Sequence, residues 1–196
     1  AMMEMLRAEG VRYIFGNPGT SESAMMDALE DFPDLEYILV TQEGVGVGMA
    51  DAYGRATGRP GFLNLHVETG LANAISLLYN AYEGGSPMVV TSGNKDIREL
   101  AVERTDLAQM VTQFTKWTAE ATHVEQVPIF LRRAFNRVGC RRFKSMPPID
   151  PRSRQLDDGQ TAHDQQRHPF LLGEGKVGDA ALCLRAPVGI GGHRDL

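Results

Sequence analysis

The residue with the strongest claim to chemistry is Glu43. An apolar run, Tyr37-Ile38-Leu39-Val40, stops at Thr41-Gln42-Glu43, and a helical pattern follows at once through Gly44-Val45-Gly46-Val47-Gly48-Met49-Ala50-Asp51-Ala52-Tyr53-Gly54-Arg55. That order puts a carboxylate at a strand-to-helix junction, where backbone N–H groups are free and ligands are commonly held. Gly46, Ala50 and Gly54 fall four apart and share one helix face. Each glycine in a helix interior costs roughly 0.5–1 kcal/mol against alanine, so something must approach that face closely: another backbone, a ligand or a second subunit. A purely architectural reading is also open, in which a buried crossover helix merely carries a Glu in its first turn, where the helix dipole favours it. A dinucleotide-binding turn does not fit. Gly44, Gly46 and Gly48 are spaced by two and match no Gly-x-Gly-x-x-Gly register.

Three other polar clusters stand in equivalent places: Asn17-Pro18-Gly19-Thr20, His66-Val67-Glu68-Thr69 and Gly93-Asn94. Each follows a short apolar run, and the elements that position them read as follows. Residues 11–15, 36–41, 62–66 and 88–93 have the β-branched, aromatic and aliphatic content of strands. Residues 2–9, 22–31, 43–57, 69–82, 107–114 and 125–138 read as helices, and 116–118 as a strand or extended piece. Thr20 or Ser21 is the expected cap of the helix over 22–31. Strands alternating with helices predict an α/β fold, a parallel sheet with helices on both faces. In such sheets ligands sit beyond the carboxyl ends of the strands, and all four polar clusters lie there. One pocket assembled from several strand ends is the expected site.

The chain has 196 residues and a net charge of −5, which argues against nucleic acid as its main partner. No apolar run is long enough for a membrane helix, and no signal-peptide pattern is present. Cys140 and Cys183 are far apart and make no metal-ligand spacing, so a reduced, cytoplasmic setting is the default expectation. Residues 140–196 read differently from the rest. They are rich in Arg, Pro, Asp and Gln and lack a sustained apolar period before Ala180. An irregular or disordered tail and a segment translated in a shifted frame are both open, and the abrupt change at Gly139-Cys140 favours the second. His163, Asp164 and His168 are read as polar residues of that tail rather than as metal ligands. The expected division is therefore 1–139, one α/β domain, and 140–196, an atypical tail.

The motifs also carry a resemblance. Gly16-Asn17-Pro18-Gly19-Thr20-Ser21-Glu22 is followed by Gln42-Glu43 opening a small-residue helix with Met49-Ala50-Asp51-Ala52-Tyr53. Asn64-Leu65-His66, Asn80-Ala81-Tyr82 and Thr91-Ser92-Gly93 come next. In order and spacing these resemble the N-terminal, pyrimidine-binding domain of thiamine-diphosphate-dependent 2-oxo acid enzymes. The Asn-Pro-Gly turn and the Asn-Leu-His strand end are most similar to the benzoylformate decarboxylase type. Acetolactate-synthase-like carboligases come next, although they usually carry a Pro-Gly turn in place of that histidine. The resemblance covers about residues 1–139.

The resemblance implies thiamine diphosphate as cofactor, with only its pyrimidine half held here. Glu43 stands where the family places the carboxyl group that hydrogen-bonds the pyrimidine N1′ and favours the imino tautomer that removes the C2 proton. Such a carboxyl is expected to be partly desolvated with a raised pKa. A 2-oxo acid then loses CO2 while the cofactor holds the electron pair. His66 stands at a proton-transfer position, against the plainer reading of a strand-end histidine bonded to backbone. Thr20 replaces a serine that contacts the substrate carboxylate, against the reading of a helix cap. Pro18 and Gly19 would bring backbone near the cofactor, and Asn73 would line the same pocket or make a helix-face contact.

The family's diphosphate- and Mg²⁺-binding domain, with its Gly-Asp-Gly and a later Asn, has no counterpart here. Gly173-Glu174-Gly175 resembles only its start. The middle domain has no counterpart either. The expectation is a truncated piece holding half a site, inactive alone, with Mg²⁺ bound through the missing domain. Two alternatives stay open. One is a pyrimidine-binding subunit that works with a complementary diphosphate-binding chain, and the other is a non-catalytic dimerisation module, against which Glu43 argues. The implied partners are a homodimer or homotetramer, or that complementary chain, and a 2-oxo acid substrate.

Overall fold

The computed structural model describes residues 1–95 and 105–139. The expected tail over 140–196, with Cys140, His163, Asp164, His168 and Cys183, lies outside the described residues. Four strands, β1 (Tyr13–Gly16), β2 (Glu36–Leu39), β3 (Gly61–Leu65) and β4 (Met88–Ser92), form one parallel sheet in the order β2-β1-β3-β4. Parallel neighbours cannot be joined by a tight turn, so a helical crossover separates each strand from the next. The helices are α1 (Met2–Ala8), α2 (Ser23–Ala28), α3 (Glu43–Thr57), α4 (Val67–Gly84), α5 (Leu107–Met110) and α6 (Gln126–Gly139). Every residue of β3 and β4 is buried, as expected for strands covered on both faces.

Successive strand residues serve opposite cores, which is the period-two consequence of the pleat. Phe15, Leu63, Leu65 and Val90 pack with Val47 and Ala50 of α3 and with Leu71, Ala74, Leu78 and Ala81 of α4. Ile14, Phe62 and Val89 face the other way, onto Met3 and Leu6 of α1 and Leu131, Ala134, Phe135 and Val138 of α6. Phe62 and Phe135 stack with ring centroids 6.3 Å apart. Truncating a fully buried Phe of this kind to Ala costs about 3–5 kcal/mol, so the helices are held to the sheet chiefly by such contacts.

The small-residue face of α3 explains itself here. Gly44, Gly46, Ala50 and Gly54 are buried, and a Cβ on Gly54 would lie 2.7 Å from the carbonyl oxygen of Pro87. The close neighbours are this chain's own Val40 and Leu63 and, just before β4, Pro87, and tight packing of α3 fixes Glu43 at its first turn. No helix among the described residues is long and apolar enough to cross a membrane.

Several elements differ from expectation. Strand β1 begins at Tyr13, two residues later than expected. The helix expected over 22–31 is a 3-10 turn (Thr20–Glu22), α2, and a second 3-10 turn (Leu29–Asp31). No residue of α2 is fully buried, and Met25 and Ala28 pack only partly buried against the core. Neither Thr20 nor Ser21 caps it. The N-cap of the first turn is Gly19, and the Ser21 hydroxyl is engaged elsewhere. The segment 107–114 splits into α5, capped by the Asp106 carboxylate accepting from Gln109 N–H at 2.8 Å, and a 3-10 turn, Thr112–Phe114. Residues 116–118 carry no regular element.

Candidate active site at the carboxyl edge of the sheet

Glu43 is the first residue of α3. The preceding Gln42 is extended, and its side-chain oxygen caps the helix by accepting from Val45 N–H at 2.9 Å. The glutamate is therefore free to face the sheet edge, where it is only 8% exposed. Its Oε1 accepts from Asn17 Nδ2 at 3.0 Å, and its Oε2 accepts from Asn73 Nδ2 at 3.1 Å. Asn17 comes from the turn after β1 and Asn73 from α4, so three separate segments meet on one carboxylate. Burial pushes this acid up, as expected. Donation by Asn17, by its own backbone N–H and by Asn73, with the nearby His66 charge, outweighs burial, and the group lies below the ordinary glutamate value. The expected raised value is thereby corrected: these donors hold the carboxyl as an anion.

A second buried carboxylate sits on the same edge. Glu22 is 4% exposed and has four polar partners. Gly19 N–H reaches Oε2 at 2.9 Å, Gly93 N–H reaches Oε1 at 3.1 Å, and the Ser21 hydroxyl reaches Oε1 at 2.6 Å. The fourth is His66, whose Nδ1 lies 2.8 Å from Oε2. Two glycines make room for this arrangement. A Cβ on Gly19 would lie 2.4 Å from the His66 ring, and one on Gly93 would lie 2.2 Å from Glu22 Oε1.

The two carboxylates belong to one site. A Cβ on Gly70 would be 3.6 Å from Glu43 Oε1 and 3.8 Å from His66 Cβ, so Glu43 and His66 flank the same point. Beneath them runs a polar ladder across the sheet. The Tyr37 hydroxyl donates to Asn64 Oδ1 at 3.2 Å, and Asn64 Nδ2 donates to Thr91 Oγ1 at 3.1 Å. Burial and the charge of Glu22 push the Tyr37 phenol well above its ordinary value, keeping it a donor. Next to His66, Val67 has φ of +40°, a left-handed conformation that a β-branched residue rarely adopts. Glu68 pairs with Lys95 at 2.6 Å on the same edge.

Glu43, His66, Gly19 and Asn73 thus meet as the sequence suggests. Pro18 lies half-buried in the turn between Asn17 and Gly19. Thr20 is exposed, and its carbonyl accepts from Ser23 Oγ at 2.9 Å. It is not drawn into the cluster. Sequence reasoning missed Glu22 and Ser21 as site residues and the pairing of Asn17 with Glu43. A signal for Glu22 was present: it follows Gly19 by three, the spacing at which an acid reaches back to a helix-start N–H. Among the described residues, no group of three or more His, Cys, Asp or Glu side chains is placed to hold a metal ion.

The family described as thiamine pyrophosphate enzyme, N-terminal TPP binding domain, matches residues 1–118. The chain belongs to that family. It is 38% identical over 156 residues to benzoylformate decarboxylase of Pseudomonas aeruginosa, covering 77% of this chain and 28% of that protein. It is 34% identical over 137 residues to the acetolactate synthase large subunit of Haemophilus influenzae, covering 68% and 24%. Among solved structures, the thiamine diphosphate-dependent 4-hydroxybenzoylformate decarboxylase of Rhodococcus jostii RHA1 superposes with a TM-score of 0.65 at 34% identity, covering 69% and 26%. The chain therefore spans about a quarter of the length of the relatives it matches.

Proposed function

We propose that the chain supplies the pyrimidine-binding half of a thiamine-diphosphate-dependent enzyme that decarboxylates 2-oxo acids without oxidation. One observation carries this reading: the Glu43 carboxylate, 8% exposed, with an amide donor on each oxygen. A carboxylate offers about four acceptor positions, and with Asn17, Asn73 and the residue's own backbone N–H on three of them, one remains for a protonated ring nitrogen. That donor set fits the aminopyrimidine of the cofactor. Once bound, the cofactor supplies the electron sink for loss of CO2. Glu43 hydrogen-bonds the pyrimidine N1′ and holds or releases the proton there, while Asn17 and Asn73 fix its direction. Pro18 and Gly19 border the ring. His66 moves protons at the substrate, and the exposed Thr20 hydroxyl meets the substrate carboxylate.

The diphosphate end of the cofactor and its Mg²⁺ fall to a separate diphosphate-binding domain or complementary chain. The chain alone then has no turnover. An acetolactate-synthase-like carboligase is the second reading, supported by the Haemophilus influenzae relative. His66 favours the decarboxylase.

The test is a chimera in which residues 1–139 replace the matching segment of the Pseudomonas aeruginosa benzoylformate decarboxylase. The expected result is thiamine-diphosphate-dependent CO2 release from benzoylformate by the chimera and none by the chain alone. Turnover by the chain alone, or a folded chimera that binds no thiamine diphosphate, would refute the reading.

A further inference from the structure

We propose that Glu22 is the positioning residue for His66, fixing the ring so that Nδ1 carries the proton and Nε2 is left as the lone pair that exchanges protons in the pocket. The hydrogen-bond count forces this. As a carboxylate, Glu22 only accepts. Its Oε2 lies 2.8 Å from His66 Nδ1, so that nitrogen must be the donor. Ser21 Oγ also lies 2.9 Å from Nδ1, but its single proton is committed to Glu22 Oε1 at 2.6 Å. Toward the imidazole, Ser21 too can only accept. Both neighbours of Nδ1 therefore demand the same tautomer, and among the described residues Nε2 has no protein partner. The ring is 31% exposed, so Nε2 is reachable.

The arrangement is built rather than incidental. Glu22 is 4% exposed, and the Gly19 and Gly93 amides hold it from two different loops. At both positions a side chain would collide with the pair, at 2.4 Å from the ring and 2.2 Å from the carboxylate. When Nε2 takes up a proton, the ring becomes a cation facing a buried anion. When it gives that proton back, the Nδ1–H to Glu22 bond returns the same tautomer. This is how a carboxylate behind a histidine keeps a general acid–base group in one orientation.

The inference rests on the reading of His66 as the proton-transfer group, but its test needs neither cofactor nor substrate. The ring nitrogens of the ¹⁵N-histidine-labelled full chain are read by two-bond ¹H–¹⁵N correlation in alkaline buffer, where imidazoles are neutral. His66→Asn assigns the signals. The expected spectrum has a protonated Nδ1 and an unprotonated, pyridine-like Nε2. Glu22→Gln retains one acceptor oxygen and gains an NH₂ donor, so the unprotonated signal should shift to Nδ1 or split between the two nitrogens. Ser21→Ala leaves Glu22 in place and should leave the pattern unchanged. A wild-type ring protonated at Nε2, a folded Glu22→Gln variant with the wild-type pattern, or a tautomer change in Ser21→Ala would each overturn the proposal. If Glu22→Gln fails to fold, the wild-type and Ser21→Ala spectra still decide. A dead chimera with the expected tautomer would instead count against the decarboxylase reading alone.

Discussion

Replacing Asn17 by Ala removes one of the two amide donors on Glu43 and isolates what keeps that carboxyl ionised. Oε1 loses a 3.0 Å hydrogen bond while Oε2 keeps the one from Asn73. A hydrogen bond to a charged group contributes about 1.5–3 kcal/mol and one between neutral groups about 0.5–1.5. With Glu43 only 8% exposed, water replaces the donor in part, so a loss near the lower end of the charged range, about 1.5–2 kcal/mol, is expected at neutral pH. The pH dependence follows from the direction of the shift. Burial raises the Glu43 pKa, but Asn17, the backbone N–H, Asn73 and His66 bring it below the ordinary value. A depressed folded pKa gives stability that is present above the unfolded carboxylate value, about 4.3, and is lost as pH falls through the folded value. Asn17 causes part of that depression, so the penalty for losing it should shrink toward about 0.5–1 kcal/mol once Glu43 is protonated. Urea unfolding of both proteins, from about pH 7 down to about pH 3, measures the difference, and acids common to both cancel. A penalty that is flat across this range, or below about 0.5 kcal/mol throughout, would refute the assignment of Asn17 as the donor that holds Glu43 anionic.

Gly54→Ala gains about 0.5–1 kcal/mol of helix propensity but drives a methyl to 2.7 Å from the Pro87 carbonyl, and overpacking costs about 1–3. Net destabilisation by urea unfolding is expected, and a more stable variant would contradict the close approach of α3 to Pro87. Gly19→Ala places a methyl 2.4 Å from the His66 ring, so the Nδ1–H signal of His66 should shift or vanish in the same two-bond correlation. An unchanged ring would contradict the contact. In the chimera, His66→Ala should slow CO2 release or product formation by about 10²–10³ with thiamine diphosphate affinity unchanged. A loss of affinity instead would make His66 a binding residue.

The frame of the site is readable in the sequence because its strands are written as short, mostly apolar runs. The end of Tyr37–Val40 announces Glu43, and Phe62–Leu65 announces His66. The partners of those residues are not readable in the same way. Asn17 and Asn73 reach Glu43 from 26 and 30 positions away, and only the folded sheet edge brings them together. The sign of the Glu43 shift depended on those two amides, so a reading limited to burial points the wrong way. Glu22 hides in what looks like an ordinary first helical turn. Its role appears only when β3 and β4 bring His66 and Gly93 to it from 44 and 71 positions away. The exposure of Thr20 follows from the 3-10 turn that replaces the expected helix start, a local choice that nothing in its immediate neighbours dictates.

The claim that Glu43 addresses the pyrimidine ring is tested most directly by the exchange of the C2 proton of thiamine diphosphate for deuterium. The comparison is between the chimera and its Glu43→Gln variant, with cofactor occupancy measured in both. At matched occupancy the variant is expected to exchange at least about 10²-fold more slowly, the scale of a lost acid–base group. Equal exchange rates with the cofactor bound in both proteins would contradict it.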